Sequence, residues 1–478
     1  MAASPSIAAP AEWASRLVDI LILGQHLIKP RRAKELELSV WSDCCGIGTD
    51  WFALEEIRAA LRENVGLHVS FRYYCACEKD PVALAFVEMN HKPLHTMCNM
   101  THRNFGEGTF FCSTHQVNHP LPKVGLDLYI GTFPCSPWSR RGRRTGFDHP
   151  DAQLLLVGAQ TIVATAPAIW VLELGEMPCQ SARDEVLQKI VSELSESRVP
   201  YVIETAQHLQ PFALGYPMMR SRFFVLGCRQ DVAPGRTPEQ TALQSLVGAS
   251  PPQTSSYIAF LGLRRSLDWS RVGQYPDHAT CTTIASTNCA CGLDPMVLCS
   301  AHPCHCRKCG EDLKSCAWRR LLQRWQSSLD LRGVVRAHAG TLTYLQVLEL
   351  QGGRGPTSPR ERTILNILAT QIRAQPLNDT LMIADLSQNP PYGTVLCNGY
   401  VPTLTSTSDL WSFQAGARLS ACALGQLMGL SMDRVLVTPE MRELWFRRRL
   451  GQAMHVPTVG VVLLASLAAP LHRLCSSA

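Results

Sequence analysis

Charge is scarce in these 478 residues: Asp, Glu, Lys and Arg together make up 18%, and neither sign dominates, with 45 basic against 39 acidic side chains. The formal net charge of +6 permits a nucleic-acid partner without demanding one, so the placement of the charges has to decide. Glycine and proline (32 and 31 residues) stay near average usage while apolar residues reach 46%, which excludes collagen-like, mucin-like and disordered chains. No leading stretch combines a basic region, an apolar core and a small-residue cleavage site, so a secreted disulfide scaffold is not expected. No apolar run reaches the roughly 18 residues of a membrane span, and the longest, Val456 to Leu471, holds Pro457 and Pro470. No membrane partner is expected. The compartment expected is the nucleus in a eukaryote, otherwise the cytoplasm.

Cysteine, by contrast, is plentiful at 20 residues. In a reducing compartment such thiols serve as metal ligands, catalytic groups or packing, and only their spacing separates these. The length suits about three average domains, or one large catalytic domain with an insertion.

From Leu36 to Gly227 short apolar strands alternate with longer amphipathic stretches, as a parallel sheet with crossover helices requires. The pattern predicts strands at Leu38–Ser42, Arg72–Cys77, Leu126–Thr132, Ala168–Leu172, Tyr201–Glu204 and Phe223–Gly227, and helices near Trp51–Glu63, Pro81–Met89, Leu154–Ala164 and Asp184–Ser195. Residues 1–35 read as an N-terminal appendage with one amphipathic helix around Trp13 to Ile28. Residues 229–400 are rich in Pro, Ser, Gln and Cys, and helical pattern returns from Ala417. An insertion between two parts of one core accounts for that order.

The first strand runs into Asp43-Cys44-Cys45-Gly46-Ile47-Gly48-Thr49-Asp50 and then a helix, where glycines allow a tight turn and the helix N-terminus offers free N–H groups. The second ends in Cys77-Glu78-Lys79-Asp80-Pro81, a carboxylate where nucleotide-binding sheets hold ribose. Gly131-Thr132-Phe133-Pro134-Cys135-Ser136-Pro137-Trp138 follows the apolar run Leu126–Ile130, at the carboxyl end of the sheet where ligands bind. Arg140, Arg141, Arg143 and Arg144 lie just beyond. Cys135 there is either a nucleophile in an electropositive field or a packed thiol, and the arginines are either phosphate contacts or a solvated face. Glu173 adds a carboxylate at a strand end, and Arg220-Ser221-Arg222 opens another strand.

In their order these segments resemble the C5-cytosine-specific DNA methyltransferase family. Leu38 to Trp51 is similar to its first cofactor motif, Glu78 to Pro81 to its second, Gly131 to Ser136 to its Pro-Cys nucleophile motif, Glu173 to its catalytic Glu, and Arg220 with Arg222 to its Arg-x-Arg motif. Val401 to Thr405, Ala417 to Ser420 and Gln426 to Leu430 resemble the return to the core, and Gly451 to Pro457 the last motif. The chain departs from the pattern at Ser136, Leu174, Gly175 and Met218, where Gln, Asn, Val and Gln are usual, and at Asn99 and Gln452, where Asp and Asn are usual.

The resemblance implies a doubly wound, Rossmann-like α/β methyltransferase sheet in residues 36–228, completed by 415–478, with 229–414 as an inserted target-recognition domain. It implies S-adenosylmethionine as cofactor, held by Cys45, Gly46, Ile47, Gly48, Glu78, Lys79, Asn99, Pro134, Gln452 and Ala453. Catalysis on a flipped-out cytosine of DNA would fall to Cys135, Glu173, Arg220 and Arg222, with Ser136 and the four arginines on the nucleic acid. Transfer RNA is the alternative substrate, and a non-catalytic nucleic-acid-binding relative the alternative class. Within the inserted region Cys289, Cys291, Cys304, Cys306 and Cys309, with Cys299 and Cys316 close by, suit either a structural zinc or a recognition loop with reduced thiols.

Overall fold

The computed structural model of the chain describes residues 12–232, 355–373, 381–388 and 396–476, less 28, 30–33, 124, 139–144, 178, 198, 357 and 440, together with 243, 246 and 348. The chain divides into two compact units, residues 1–252 with 421–478, and residues 253–420.

The first unit is α/β. In chain order it comprises α1 (Trp13–Leu23), β1 (Lys34–Asp43), α2 (Thr49–Ala60, continued by a π-turn over Leu61–Val65), β2 (Leu67–Cys77), α3 (Pro81–His91) and β3 (His95–Met97). Three short strands follow, β4 (Arg103–Asn104), β5 (Thr109–Cys112) and β6 (Val117–Pro120), then β7 (Leu128–Thr132), α4 (Gln153–Thr165), β8 (Ile169–Gly175), α5 (Gln180–Leu194), β9 (Tyr201–Leu209) and β10 (Arg222–Arg229). Seven strands form one sheet in the order β3-β2-β1-β7-β8-β10-β9, and β4, β5 and β6 form a small second sheet. The sheet is parallel except for β10, which runs antiparallel to both β8 and β9. The strand pattern predicted a parallel sheet throughout. The reversal follows from the connection of β9 to β10, which contains no crossover helix of the kind a parallel neighbour needs.

Every side chain of β8 is buried, as expected of a central strand covered on both faces. Trp41, Tyr129 and Trp170 fill the sheet's interior. Residues 1–35, expected as an appendage, instead bring α1 into the core: Trp13, Ala14, Leu17, Val18 and Leu21 are all buried. The helix ends at Leu23, capped by Gly24, short of the expected Ile28.

The second unit contains, among its described residues, the helix α6 (Pro359–Arg373) and the antiparallel strands β11 (Met382–Asp385), β12 (Leu396–Asn398), β13 (Leu410–Ser412) and β14 (Ala417–Arg418), in the order β12-β11-β13-β14. Arg360 of α6 donates to the carbonyls of Leu386 and Gln388, 2.8 and 2.7 Å away, and so holds the helix to the turn after β11.

The chain then returns to the first unit as α7 (Ala421–Leu427), α8 (Glu443–Gln452) and α9 (Val456–Ser476). α9 passes through Pro470. It is long and apolar enough to cross a membrane, yet 78% of its apolar window is buried inside the protein, the pattern of a core helix. The ring of Trp13 packs on Gly460, where a Cβ would stand 2.0 Å from it, so α1 and α9 approach closely.

Candidate active site

The loops after β1, β2, β7 and β8 lie side by side at the carboxyl ends of their strands because those four strands are neighbours in the sheet. After β1, Gly48 takes a left-handed backbone (φ 68°) as N-cap of α2, without a side-chain cap of its own, and its carbonyl accepts from the Trp51 N–H (3.1 Å). Gly46 is also left-handed, with open space where a Cβ would project. Its N–H donates to Glu78 Oε2 (3.0 Å), and Glu78 Oε1 accepts from the N–H of Asp80 (2.9 Å). The Glu78 carboxylate is therefore oriented by two backbone donors, and its remaining lone pairs can accept from a ligand. Cys45 and Ile47 are buried beneath the loop, Lys79 is exposed, and Asn99 caps the turn after β3 by accepting from the N–H of Thr101 (3.0 Å).

Under this loop lies an ion pair that the strand pattern did not reveal. Asp43, at the end of β1, accepts from Arg103 (2.8 Å), Tyr129 Oη (2.6 Å) and Trp41 Nε1 (2.9 Å), and Arg103 also donates to Thr161 of α4 (2.7 Å). Both charged side chains are fully buried. Burial works against the charged guanidinium, but Asp43 outweighs it and raises the Arg103 pKa.

Asp50, in the first turn of α2, is buried and accepts from Ser42 Oγ at 2.5 Å, while its Oδ1 has no partner. Burial pushes this carboxyl up to about 6.

The loop after β7 is anchored by Phe133, whose buried ring lies against Gly131 and Gly158. Cys135 follows, exposed, with its carbonyl accepting from the N–H of Trp138 (3.1 Å) in a tight turn. Ser136 donates to Asp151 (3.0 Å), and Trp138 packs edge-on to Phe147. Cys135 stands directly on Gly175 at the end of β8: a Cβ there would lie 2.3 Å from the Cys135 Cβ. A larger side chain would not fit at this position without moving the thiol.

Two residues before Gly175, Glu173 pairs with Arg222 Nε at 2.6 Å, both largely buried. This follows from the register, in which Arg222 faces Gly175 and Phe224 faces Glu173 across β10 and β8. Arg220 is buried and donates to the carbonyls of Gly451 and Ala453. Burial, and secondarily Arg222, lowers its pKa to about 9, while Glu173 and Cys135 act in the opposite direction. Arg449 of α8 holds Gln452 (2.9 Å) and ion-pairs with Asp80. Residues 451–453 are thus clamped between the Glu78 loop and the Cys135 side, and Ala453 is buried while Gln452 is exposed.

Cys135, Glu173, Arg220 and Arg222 therefore come together, as do Gly46 and Glu78, with 451–453 tied to both groups. Arg140, Arg141, Arg143, Arg144, Cys289, Cys291, Cys299, Cys304, Cys306, Cys309 and Cys316 lie outside the described residues.

The sequence of residues 44–256 matches the C-5 cytosine-specific DNA methylase family. Over part of the chain the sequence is also similar to the type II methyltransferase M.AquIA of Picosynechococcus sp., 27% identical over 175 residues, which is 35% of this chain and 67% of that protein. Among solved structures the chain is similar to a protein described as a DNA modification methyltransferase encoded within an E. coli prophage (13% identity, 90% of this chain and 98% of that one, TM-score 0.46). It is also similar to the Entamoeba histolytica methyltransferase EhMeth (12% identity, 90% and 98%, TM-score 0.43).

Proposed function

We propose that this methyltransferase modifies carbon 5 of cytosine in DNA, using S-adenosylmethionine, with Cys135 as a covalent nucleophile. The observation that carries the reading is the exposed Cys135 seated on Gly175, beside the Glu173–Arg222 pair and Arg220, at the edge of the sheet in a chain whose residues 44–256 match the C-5 cytosine-specific DNA methylase family. The cofactor would be held by the Cys45-Gly46-Ile47-Gly48 turn, Glu78, Lys79, Asn99, Pro134, Gln452 and Ala453. These groups fit a nucleoside, because the Glu78 carboxylate, oriented by two backbone donors, can accept from ribose hydroxyls beside the open space at Gly46. When bound, S-adenosylmethionine supplies an electrophilic methyl group.

The chain's own residues prepare the base. The Cys135 thiolate adds to C6, and the electron pair displaced from the C5–C6 double bond makes C5 nucleophilic. Glu173 hydrogen-bonds N3 and the exocyclic amine, stabilising the charge that develops on the ring. Arg222 orients Glu173 and supports the O2 side, and Arg220 holds the 451–453 segment. Once C5 is methylated, loss of its proton and cleavage of the S–C6 bond return the free thiolate. The target base leaves the duplex for this, at a cost of a few kcal/mol repaid by phosphate contacts such as those of Arg140, Arg141, Arg143 and Arg144.

The test is DNA carrying 5-fluorocytosine. Fluorine cannot depart as a proton does, so a denaturing gel should show a protein–DNA adduct that requires S-adenosylmethionine and is lost in Cys135→Ala. An adduct with transfer RNA alone would reassign the substrate. An adduct that survives in Cys135→Ala would move the nucleophile, and none with either nucleic acid would favour binding without catalysis.

A further inference from the structure

At the β3 edge of the large sheet, away from the Cys135 loop, four side chains of metal-ligand type meet. His95 lies in β3, Cys112 ends β5, His115 sits in the turn that follows and His119 lies in β6, and their ligand atoms all fall within 4.8 Å of one another. The strand geometry explains the convergence. Phe110 faces His119 and Cys112 faces Val117 across the hairpin, so Cys112 and His119 share one of its faces. Gln116 takes a left-handed backbone (φ 57°) and donates its N–H to the Cys112 carbonyl (2.9 Å), closing the turn that carries His115.

Hydrogen bonding does not account for the arrangement. His115 Nδ1 is 3.3 Å from His95 Nδ1, 3.4 Å from Cys112 Sγ and 3.1 Å from His119 Nε2. An imidazole nitrogen carries either one proton or one in-plane lone pair, so it satisfies one such neighbour and not three. Four donors placed 2.0–2.3 Å from a common tetrahedral centre stand about 3.3–3.8 Å apart. The three separations from His115 Nδ1, 3.1–3.4 Å, come near that spacing, and with all four donor atoms within 4.8 Å of one another a small contraction onto a shared ion would complete the site.

We propose that His95, Cys112, His115 and His119 bind one zinc ion. One thiolate and three imidazoles, with no carboxylate among them, select zinc over magnesium or calcium. Four protein ligands leave no open position, so the site is structural. It pins a small sheet, whose strands of two, four and four residues are too short to persist alone, to the edge strand β3. The intervening chain carries Asn99 and Arg103, so the ion braces the segment that supports Asp43 beneath the first loop. This site is separate from the Cys289–Cys316 region.

The experiment measures zinc in the purified full-length chain by inductively coupled plasma mass spectrometry, alongside His115→Ala/His119→Ala and Cys304→Ser/Cys306→Ser. His115 is exposed and His119 half-buried, so the histidine variant is expected to fold, which its cooperative thermal melt will show. The expected result is one zinc fewer per chain in the histidine variant, together with a melting temperature that EDTA no longer lowers. A wild-type chain without zinc would overturn the proposal, as would a histidine variant that retains all its zinc, the Cys304 and Cys306 variant losing it instead. If the double variant does not fold, His115→Ala alone replaces it. At least a tenfold weaker zinc affinity in chelator competition supports the site, and unchanged affinity overturns it.

Discussion

Cys135 and Cys112 belong to the same α/β unit and stand in opposite surroundings. Cys135 is exposed on a loop at the carboxyl ends of β7 and β8, beside one carboxylate and two guanidinium groups. Cys112 is buried at the sheet's edge, beside three imidazoles. A third group, Cys45, Cys75 and Cys77, lies in the core, where burial pushes the thiols well up and keeps them protonated. In the proposed roles the residue type is constant, and the neighbours decide whether a thiol would attack, ligate or merely fill space.

The largest effect that would break this comparison is at Cys135 itself. Cys135→Ala is expected to abolish methyl transfer with an unchanged melting temperature, whereas Cys112→Ala should lower the melting temperature and still form the 5-fluorocytosine adduct. Activity assays and thermal melts on the two variants check this, and equal loss of activity in both would erase the distinction.

Next is the support shared by the two edges. Arg103→Met leaves Asp43 buried without its cationic partner and should cost about 3–5 kcal/mol of stability, read from denaturant unfolding. A loss below 1 kcal/mol would mean that Tyr129 and Trp41 suffice for Asp43.

Smaller again is the seat of the proposed nucleophile. Gly175→Val should lower kcat about 100-fold by displacing Cys135 by an ångström or so, with KM for S-adenosylmethionine little changed. Unaltered kcat would show that the loop has room to shift.

The smallest is pH-dependent. Asp50 has its folded pKa raised from 3.8 to about 6, so its favourable contribution is complete below pH 3.8 and is lost as pH rises to about 6. Asp50→Asn escapes that loss and should be roughly 2–3 kcal/mol more stable than wild type at pH 8, with the difference gone below pH 3.8. His91 works the other way: burial lowers its pKa from 6.5 to about 3, so its contribution is present above pH 6.5 and lost on acidification. Being common to both proteins, it cancels in the comparison. Urea unfolding at a series of pH values provides the measurement, and a constant difference across pH would reassign the effect.

The main sheet was legible in outline because its strands are apolar runs ending in turn residues. The expected Phe223–Gly227 lies inside β10, and the helix expected at Pro81–Met89 runs only two residues further. β3 was missed because three residues carry no periodicity, and β4 to β6 because strands of two to four residues are too short to show an alternating pattern. In the site, the residues at strand ends were visible as local motifs. The Asp43–Arg103 pair was not, since 60 positions separate its members and an isolated Arg in a polar stretch reads as surface. The Cys112-x2-His115-x3-His119 spacing was available as a signal, but its fourth member, 17 residues upstream, is brought in only by strand order.

By itself the sequence determined the sequential order of elements and the chemical groups at each turn, because apolar period, glycine placement and Pro-Cys loops act over a few residues. Only the tertiary structure decided which distant groups meet: Arg220 with Gly451 and Ala453, Arg449 with Asp80, Cys135 on Gly175, His95 with the hairpin. Those meetings depend on which strands neighbour one another and on which face each side chain leaves its strand, and both are settled by packing of the whole core.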